Sequence, residues 1–203
     1  MKDLIIIGAG GNGKVVADIA QKLGVYNNIA FLDDGDVKSV MGLSVVGKTT
    51  DIVKYIKTAD IFVSIGDNKT REGFIKELLL FGASIPSLIH PSASIGCGAE
   101  IGVGTAIMAG AVVSPCARVG KGVIVNTCAS VDHDSVIADF VHVSVGARIA
   151  GTVKVGERTL IGVGAVVINN ISIVKDCVIG AGAVVVKDIE DSGVYVGVPA
   201  HKK

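Results

Sequence analysis

Between Leu4 and Phe81, short apolar runs alternate with segments whose apolar residues recur at helical spacing. Leu4-Ile5-Ile6-Ile7 predicts a strand that ends at glycines. Residues 14–23 predict a helix with Val15, Val16, Ile19, Ala20 and Leu23 on one face. Ile29-Ala30-Phe31-Leu32 is a second strand, closed by Asp33-Asp34-Gly35, and residues 52–56 form a second helix. Ile61-Phe62-Val63-Ser64-Ile65 is a third strand ending at Gly66, and residues 70–81 fit a third helix. Strands alternating with helices imply βαβ units around a parallel sheet, here over residues 1–85.

From Ile89 the period becomes six. Every sixth residue from Ile89 to Val185 is Ile or Val, seventeen positions in phase. Four places after each, from Ala93 to Ala183, only Ala, Thr, Val, Ser, Ile or Cys occurs. A hexapeptide period marks a parallel β-helix, whose stacked coils share one core. The junction falls near Ile85-Pro86-Ser87, so residues 86–203 form the β-helix and a C-terminal tail.

Composition fits this reading. Half of the residues are apolar but only 4% are aromatic, and 27 are glycine. The core is therefore built of small and β-branched side chains, with glycine at corners that require positive φ. Lys+Arg and Asp+Glu each number 19, which argues against non-specific nucleic-acid binding. Mean hydropathy is +0.62, yet no apolar run reaches the roughly 18 residues of a spanning helix. The apolar part of the N-terminus is too short for a signal peptide, so the chain is expected to be cytoplasmic. Cys97, Cys116, Cys128 and Cys177 form no CxxC pair, which predicts free thiols, no disulfide framework and no metal.

The hexads Ile95-Gly96-Cys97-Gly98-Ala99-Glu100, Ile161-Gly162-Val163-Gly164-Ala165-Val166 and Ile179-Gly180-Ala181-Gly182-Ala183-Val184 resemble those of the hexapeptide acyltransferase superfamily. Gly8-Ala9-Gly10-Gly11-Asn12-Gly13, Phe31-Leu32-Asp33-Asp34, Ile65-Gly66-Asp67-Asn68-Lys69-Thr70-Arg71, His133-Asp134 and His142-Val143-Ser144-Val145-Gly146 narrow the resemblance. Together with the closing Gly197-Val198-Pro199-Ala200, they are similar to bacterial UDP-amino-sugar N-acetyltransferases and sialic-acid O-acetyltransferases. The resemblance implies a Rossmann-like α/β domain before a left-handed β-helix with three hexads per coil. It also implies a homotrimer with interfacial sites, acetyl-CoA as co-substrate and no metal.

Gly8-x-Gly10-x-x-Gly13 follows a strand and opens a helix, and Asp33 lies twenty residues beyond Gly13. Backbone N–H groups at such a helix start hold phosphate oxygens. Three strands are too few for a dinucleotide fold, so a single nucleotide diphosphate fits better than NAD. By resemblance the ligand is a UDP-sugar, lined by Gly10, Gly11 and Asn12, with Asp33 and Asp34 near the uridine or ribose. Gly66 ends the third strand at the same sheet edge. Lys69 and Arg71 are candidates to neutralise phosphate, or are solvated charges.

His133 holds the outward third place of its hexad, between Asp132 and Asp134. The resemblance makes it the general base and Asp134 its orienting carboxylate, with Asp132 as the alternative partner. Imidazole accepts protons near neutral pH, and a carboxylate on the other ring nitrogen fixes the tautomer. With eighteen residues per coil, Gly151 stacks over His133, leaving open space and an N–H for the thioester oxyanion. By resemblance, His142 contacts acetyl-CoA across a protomer interface, and Val163 and Ala181 line the coenzyme in one column. His90 and His201 are read as structural and solvent-exposed.

The expected reaction is direct N-acetylation of a UDP-linked amino-dideoxy sugar destined for a surface glycan. The alternatives are O-acetylation of a sialic acid, a zinc enzyme drawing on His90, His133 and His142, and a non-catalytic nucleotide-sugar scaffold.

Overall fold

The computed structural model describes residues 2–203, which divide into two compact units meeting between Pro91 and Ser92. The helix pattern stops near residue 85; the first unit runs on through Leu88–Ile89, a short strand, to Pro91.

The first unit holds β1 (Lys2–Ile7), α1 (Gly11–Leu23), β2 (Tyr26–Leu32), β3 (Ser39–Val40), β4 (Leu43–Gly47), β5 (Ala59–Val63) and α2 (Asn68–Leu80). The sheet order is β3-β4-β2-β1-β5. β1 pairs in parallel with β2 and β5, and β2 pairs in parallel with β4. β3 and β4 form a hairpin that the three-strand expectation omitted. Its turn uses Met41 and Gly42, both at positive φ, instead of the Asn-Gly pair that signals such turns. The expected helix at 52–56 is a 3₁₀ turn, Thr49–Lys54, with no buried residue to anchor further turns. The buried positions of α1 are Gly13, Val16, Ala17, Ile19 and Ala20. The buried face is thus rotated toward Ala17, and Val15 and Leu23 are only half-buried. With Leu4, Ile6, Phe31, Ile61 and Phe62 of the sheet and Ile75 of α2, these residues form the core. The chain leaves β1 for β2 on one side and returns to β5 on the other. The carboxyl ends of β1 and β5 therefore flank a switch point, where α/β sheets take ligands.

The second unit is a left-handed parallel β-helix of triangular section. Its first face runs from Ser94–Ile95 to Val184–Val185, and its second from Glu100–Ile101 to Ser172–Ile173. Its third face runs from Ala106–Ile107 to Val178–Ile179 and on into Val194–Val196. Registers pair residues eighteen apart, such as Val113 with Val131 and Val131 with Ile149. From Ile107 to Val185 the hexad-leading Ile and Val side chains are buried. Each such burial contributes about 1.5–3 kcal/mol. The strand His201–Lys202 turns back antiparallel on Val194–Val196 and covers that edge at the last coil.

Three hydroxyls point into this apolar core, and each stitches two coils. Thr105 Oγ1 donates to the Gly120 carbonyl and accepts from the Val123 amide. Ser135 does the same with Ala150 and Val153, and Thr159 with Val174 and Cys177. Thr159 is fully buried. Thr159→Val keeps its shape but strands the Cys177 N–H and the Val174 carbonyl. We expect a loss of about 1–3 kcal/mol, measured by circular dichroism as a lower unfolding midpoint.

Candidate functional site

The first candidate centre is the switch point of the first unit. Gly8 lies at φ +98°, and its carbonyl and that of Ile7 accept from Ser64 Oγ at 2.7 and 2.8 Å. Sequence reasoning passed over Ser64, although a polar residue closing an apolar strand was the available signal. Gly13 packs directly on the Gly8 carbonyl, leaving no room for a Cβ. Gly10 is the N-cap of α1 and supplies no side-chain cap, so the first-turn N–H groups have no such cover. A Cβ on Gly10 or Gly11 would meet nothing within 4 Å, so the loop surface is open to a ligand. Asn12 Nδ2 lies 3.5 Å from where a Cβ of Gly66 would sit, which brings the two loops together.

Asp33 and Asp34 both hold loops in place. Asp33 Oδ2 accepts from the Ala9 amide at 2.7 Å, and its Oδ1 accepts from the Gly35 amide at 2.8 Å. Asp33 thus ties the glycine loop to the end of β2. Asp34 accepts from the Thr49 amide at 2.9 Å and from the Thr49 hydroxyl at 2.8 Å. The Thr49 amide, then its hydroxyl, hold the Asp34 carboxyl below the usual carboxylate range. Nothing in the local sequence marks Thr49 as this partner, because fifteen residues separate the two. Arg71 corrects the reading of it as a phosphate-facing or solvated charge: it is fully buried.

The second centre is a corner of the β-helix between its first and second faces. The turn places His133 at its tip and Asp134 next, at φ +59°, a conformation Asp tolerates better than most residues. His133 Nδ1 lies 2.8 Å from Asp134 Oδ2. Asp132 accepts instead from the backbone N–H of His133, at 2.8 Å. Asp134 is therefore the carboxylate on the ring. The hydrogen bond to Asp134, then the field of Asp132, raise the His133 pKa above the ordinary 6.5. With Nδ1–H donated to Asp134, the neutral ring carries its lone pair on Nε2.

Gly151 stacks over His133 as the coil arithmetic requires, but the space there is not open. A Cβ at Gly151 would lie 2.6 Å from His133 Nε2 and 2.7 Å from Cε1. The missing side chain is the room the imidazole occupies, and Gly151 itself is buried. The Gly151 N–H has no acceptor among the described residues. His133 stays 57% exposed on its other side.

His142 lies on the third face, its Nε2 3.1 Å from Asn126 Nδ2. Asn126 is a neighbour the sequence reading missed. Val163 and Ala181 share one exposed column at the corner after that face, with Val163 56% exposed. Beside them Gly164 and Gly182 leave open space. His90 is buried with Nε2 3.2 Å from Lys22 Nζ, and His201 is exposed. The three histidines of the zinc alternative are thus each engaged with a different neighbour. Among the described residues no group of three or more His, Cys, Asp or Glu is arranged to hold a metal ion. Cys97, Cys116 and Cys128 are exposed free thiols, and Cys177 is buried. No helix among the described residues is long and apolar enough to cross a membrane.

Residues 3–78 match the family model of the PglD N-terminal domain. The acetyltransferase domain of PglB from Neisseria gonorrhoeae is 41% identical, covers 100% of both chains and superposes with a TM-score of 0.98. The same domain in complex with acetyl coenzyme A gives 0.97, at 41% identity over 100% of this chain and 99% of that one. PerB from Caulobacter crescentus, in complex with CoA and GDP-perosamine, is 36% identical over 100% of this chain and 98% of its own, with a TM-score of 0.92. UDP-N-acetylbacillosamine N-acetyltransferase of Bacillus subtilis is 36% identical over 118 residues, 54% of this chain and 52% of that enzyme. That match spans about half the length of the curated relative. In sequence, coverage and fold, the chain belongs to the family of hexapeptide-repeat sugar acetyltransferases.

Proposed function

We propose that this protein transfers the acetyl group of acetyl-CoA to the amine of a nucleotide-linked amino sugar, with His133 as general base. The observation that carries the reading is the His133–Asp134 pair, 2.8 Å apart, seated over a glycine that makes room for the ring. The relatives support the substrate class: one is named for a UDP-linked amino sugar, and another holds CoA with GDP-perosamine. A UDP-linked amino-dideoxy sugar of surface-glycan biosynthesis is the preferred acceptor.

In this mechanism the amine nitrogen attacks the thioester carbon and a C–N bond forms. His133 Nε2 takes the proton the nitrogen sheds, and Asp134 stabilises the imidazolium. The Gly151 N–H donates to the tetrahedral oxyanion. The C–S bond then breaks, CoA leaves as thiolate, and the imidazolium returns the proton to sulfur. Gly10, Gly11, Asn12 and Gly66 receive the nucleotide, while Asp33 and Asp34 shape the loops around it. His142, Val163 and Ala181 line the coenzyme.

We propose a homotrimer, an arrangement the same geometry supports. The base sits at the corner between the first and second faces, and the Val163–Ala181 column at the corner between the third and first. On one chain these corners point in different directions, so a single thioester reaches both only when two copies adjoin. The outward rows support this. The second face carries Glu100, Arg118, Val136, Lys154 and Ser172, whereas the third carries Ala106, Ile124, His142, Leu160 and Val178. An outward row that is apolar but for His142 fits a covered face. Light scattering should give three times the 20.6 kDa chain mass, and a fully active monomer would exclude the arrangement.

The chemistry is tested by incubating the protein with acetyl-CoA and UDP- or GDP-linked amino sugars, or with sialic acids. Thiol release and product mass are followed. An N-acetylated nucleotide sugar is expected, with kcat reduced about 10²–10⁴-fold in His133→Ala. Product from sialic acid alone would replace the acceptor, and unchanged turnover in the variant would remove His133 from the mechanism.

The base must be unprotonated to act, and its pKa is raised. kcat/KM should therefore rise with pH through a midpoint above the ordinary imidazole value of 6.5. Asp134→Asn removes the main cause of that shift, so the midpoint should fall and kcat with it. Gly151→Ala should lower kcat more than it changes the acetyl-CoA KM, because its Cβ displaces the imidazole.

A further inference from the structure

The nucleotide reading leaves a buried cation at the switch point without a task. Arg71, in α2, is fully shielded from solvent. Its Nη1 donates to the carbonyls of Ile65 at 2.9 Å and Gly66 at 3.1 Å, and its Nη2 donates to Asn68 Oδ1 at 2.7 Å. Burial pulls its pKa down to about 10, with Asp67 opposing, so it stays charged at neutral pH. Burying a guanidinium costs free energy that its hydrogen bonds must offset.

The two pinned carbonyls are successive. In a planar trans peptide the C=O and N–H point in opposite directions. Drawing the Ile65 and Gly66 carbonyls inward therefore turns the N–H groups of Gly66 and Asp67 outward. Neither N–H donates to another protein group among the described residues. Gly66 is also the residue that Asn12 of the glycine loop approaches. Paired outward N–H groups are an anion-binding nest, and a buried positive charge behind them strengthens it.

We propose that Arg71 is a positioning residue for the diphosphate of the nucleotide sugar, presenting the Gly66 and Asp67 amides as a second anion grip beside the first turn of α1. This inference rests on the nucleotide-sugar reading above. Arg71 itself touches no ligand; it acts through the two peptide planes that it holds.

The test is calorimetric titration of the full chain with UDP, GDP, uridine and guanosine. Lysine keeps the charge but cannot span two carbonyls and Asn68. In Arg71→Lys the Kd of the bound nucleoside diphosphate should rise about tenfold, the loss of one charge-assisted hydrogen bond. Affinity for the matching nucleoside and for acetyl-CoA should hold within about twofold by the same measure. Equal weakening of nucleoside and diphosphate would mark a merely structural role and overturn the proposal, as would no change in either. A measurement on the unaltered protein covers a variant that fails to fold. The amide resonances of Gly66 and Asp67 should move with UDP or GDP and with inorganic pyrophosphate, and remain in place with the nucleosides. Diphosphate binding with those two amides unmoved overturns this proposal alone. Binding of no nucleoside diphosphate overturns the nucleotide-sugar reading and this inference with it.

Discussion

Everything in the second unit depends on the inter-coil hydrogen-bond register. Up to Val185 each strand residue pairs with the residue eighteen places away, as Val113 pairs with Val131 and Arg148 with Val166, and only the closing coil shortens this to sixteen. A one-residue slip would carry the Ile and Val rows from core to solvent. The register therefore tolerates no drift, and it turns positions along the chain into columns in space. Gly151 lies over His133 for this reason, and Val163 and Ala181 share an edge. The three inward hydroxyls obey the same rule, each meeting the amide eighteen residues on. A regular scaffold thus does the positioning that loops do in less periodic folds.

The proposed base site shows how little such a scaffold must add to bring an imidazole and a carboxylate together. A two-residue corner already exists in every hexad, and at this one the tip is an imidazole and the positive-φ residue a carboxylate. Their 2.8 Å contact needs no further element. The only demand on the neighbouring coil is a residue without a side chain, because the ring extends over it. Exposure matters equally, since a buried pair of this kind would lose the access an incoming amine requires.

In the proposed reading the first unit solves a different problem, which is to leave backbone N–H groups open to an anion. It does so by occupying the carbonyls and carboxylates around them. Ser64 takes the Ile7 and Gly8 carbonyls, Asp33 takes the Ala9 amide, and Arg71 takes the Ile65 and Gly66 carbonyls. What remains facing outward is the first turn of α1 and the Gly66–Asp67 amides. These clamps join residues as much as 57 positions apart, so they are properties of the fold and not of any one motif.

Periodicity alone carried the β-helix, because a hexad leaves its inward row no other solution than Ile, Val and small residues. The βαβ order and the glycine loop were equally legible, since both write their geometry into local residue types. The Met41-Gly42 hairpin was not, because its turn lacks the residues that usually announce one. Nor could spacing distinguish Asp134 from Asp132 as the partner of His133, since both flank it. That choice lies in the turn, which sends one carboxylate to the ring and the other to the backbone. The burial of Arg71, the capture of Asp34 by Thr49 and the filling of the space over Gly151 are contacts between distant parts of the chain. Local sequence determines which residues are available at an edge or corner; only packing decides which of them face one another, because those distances are set when the coils and loops close.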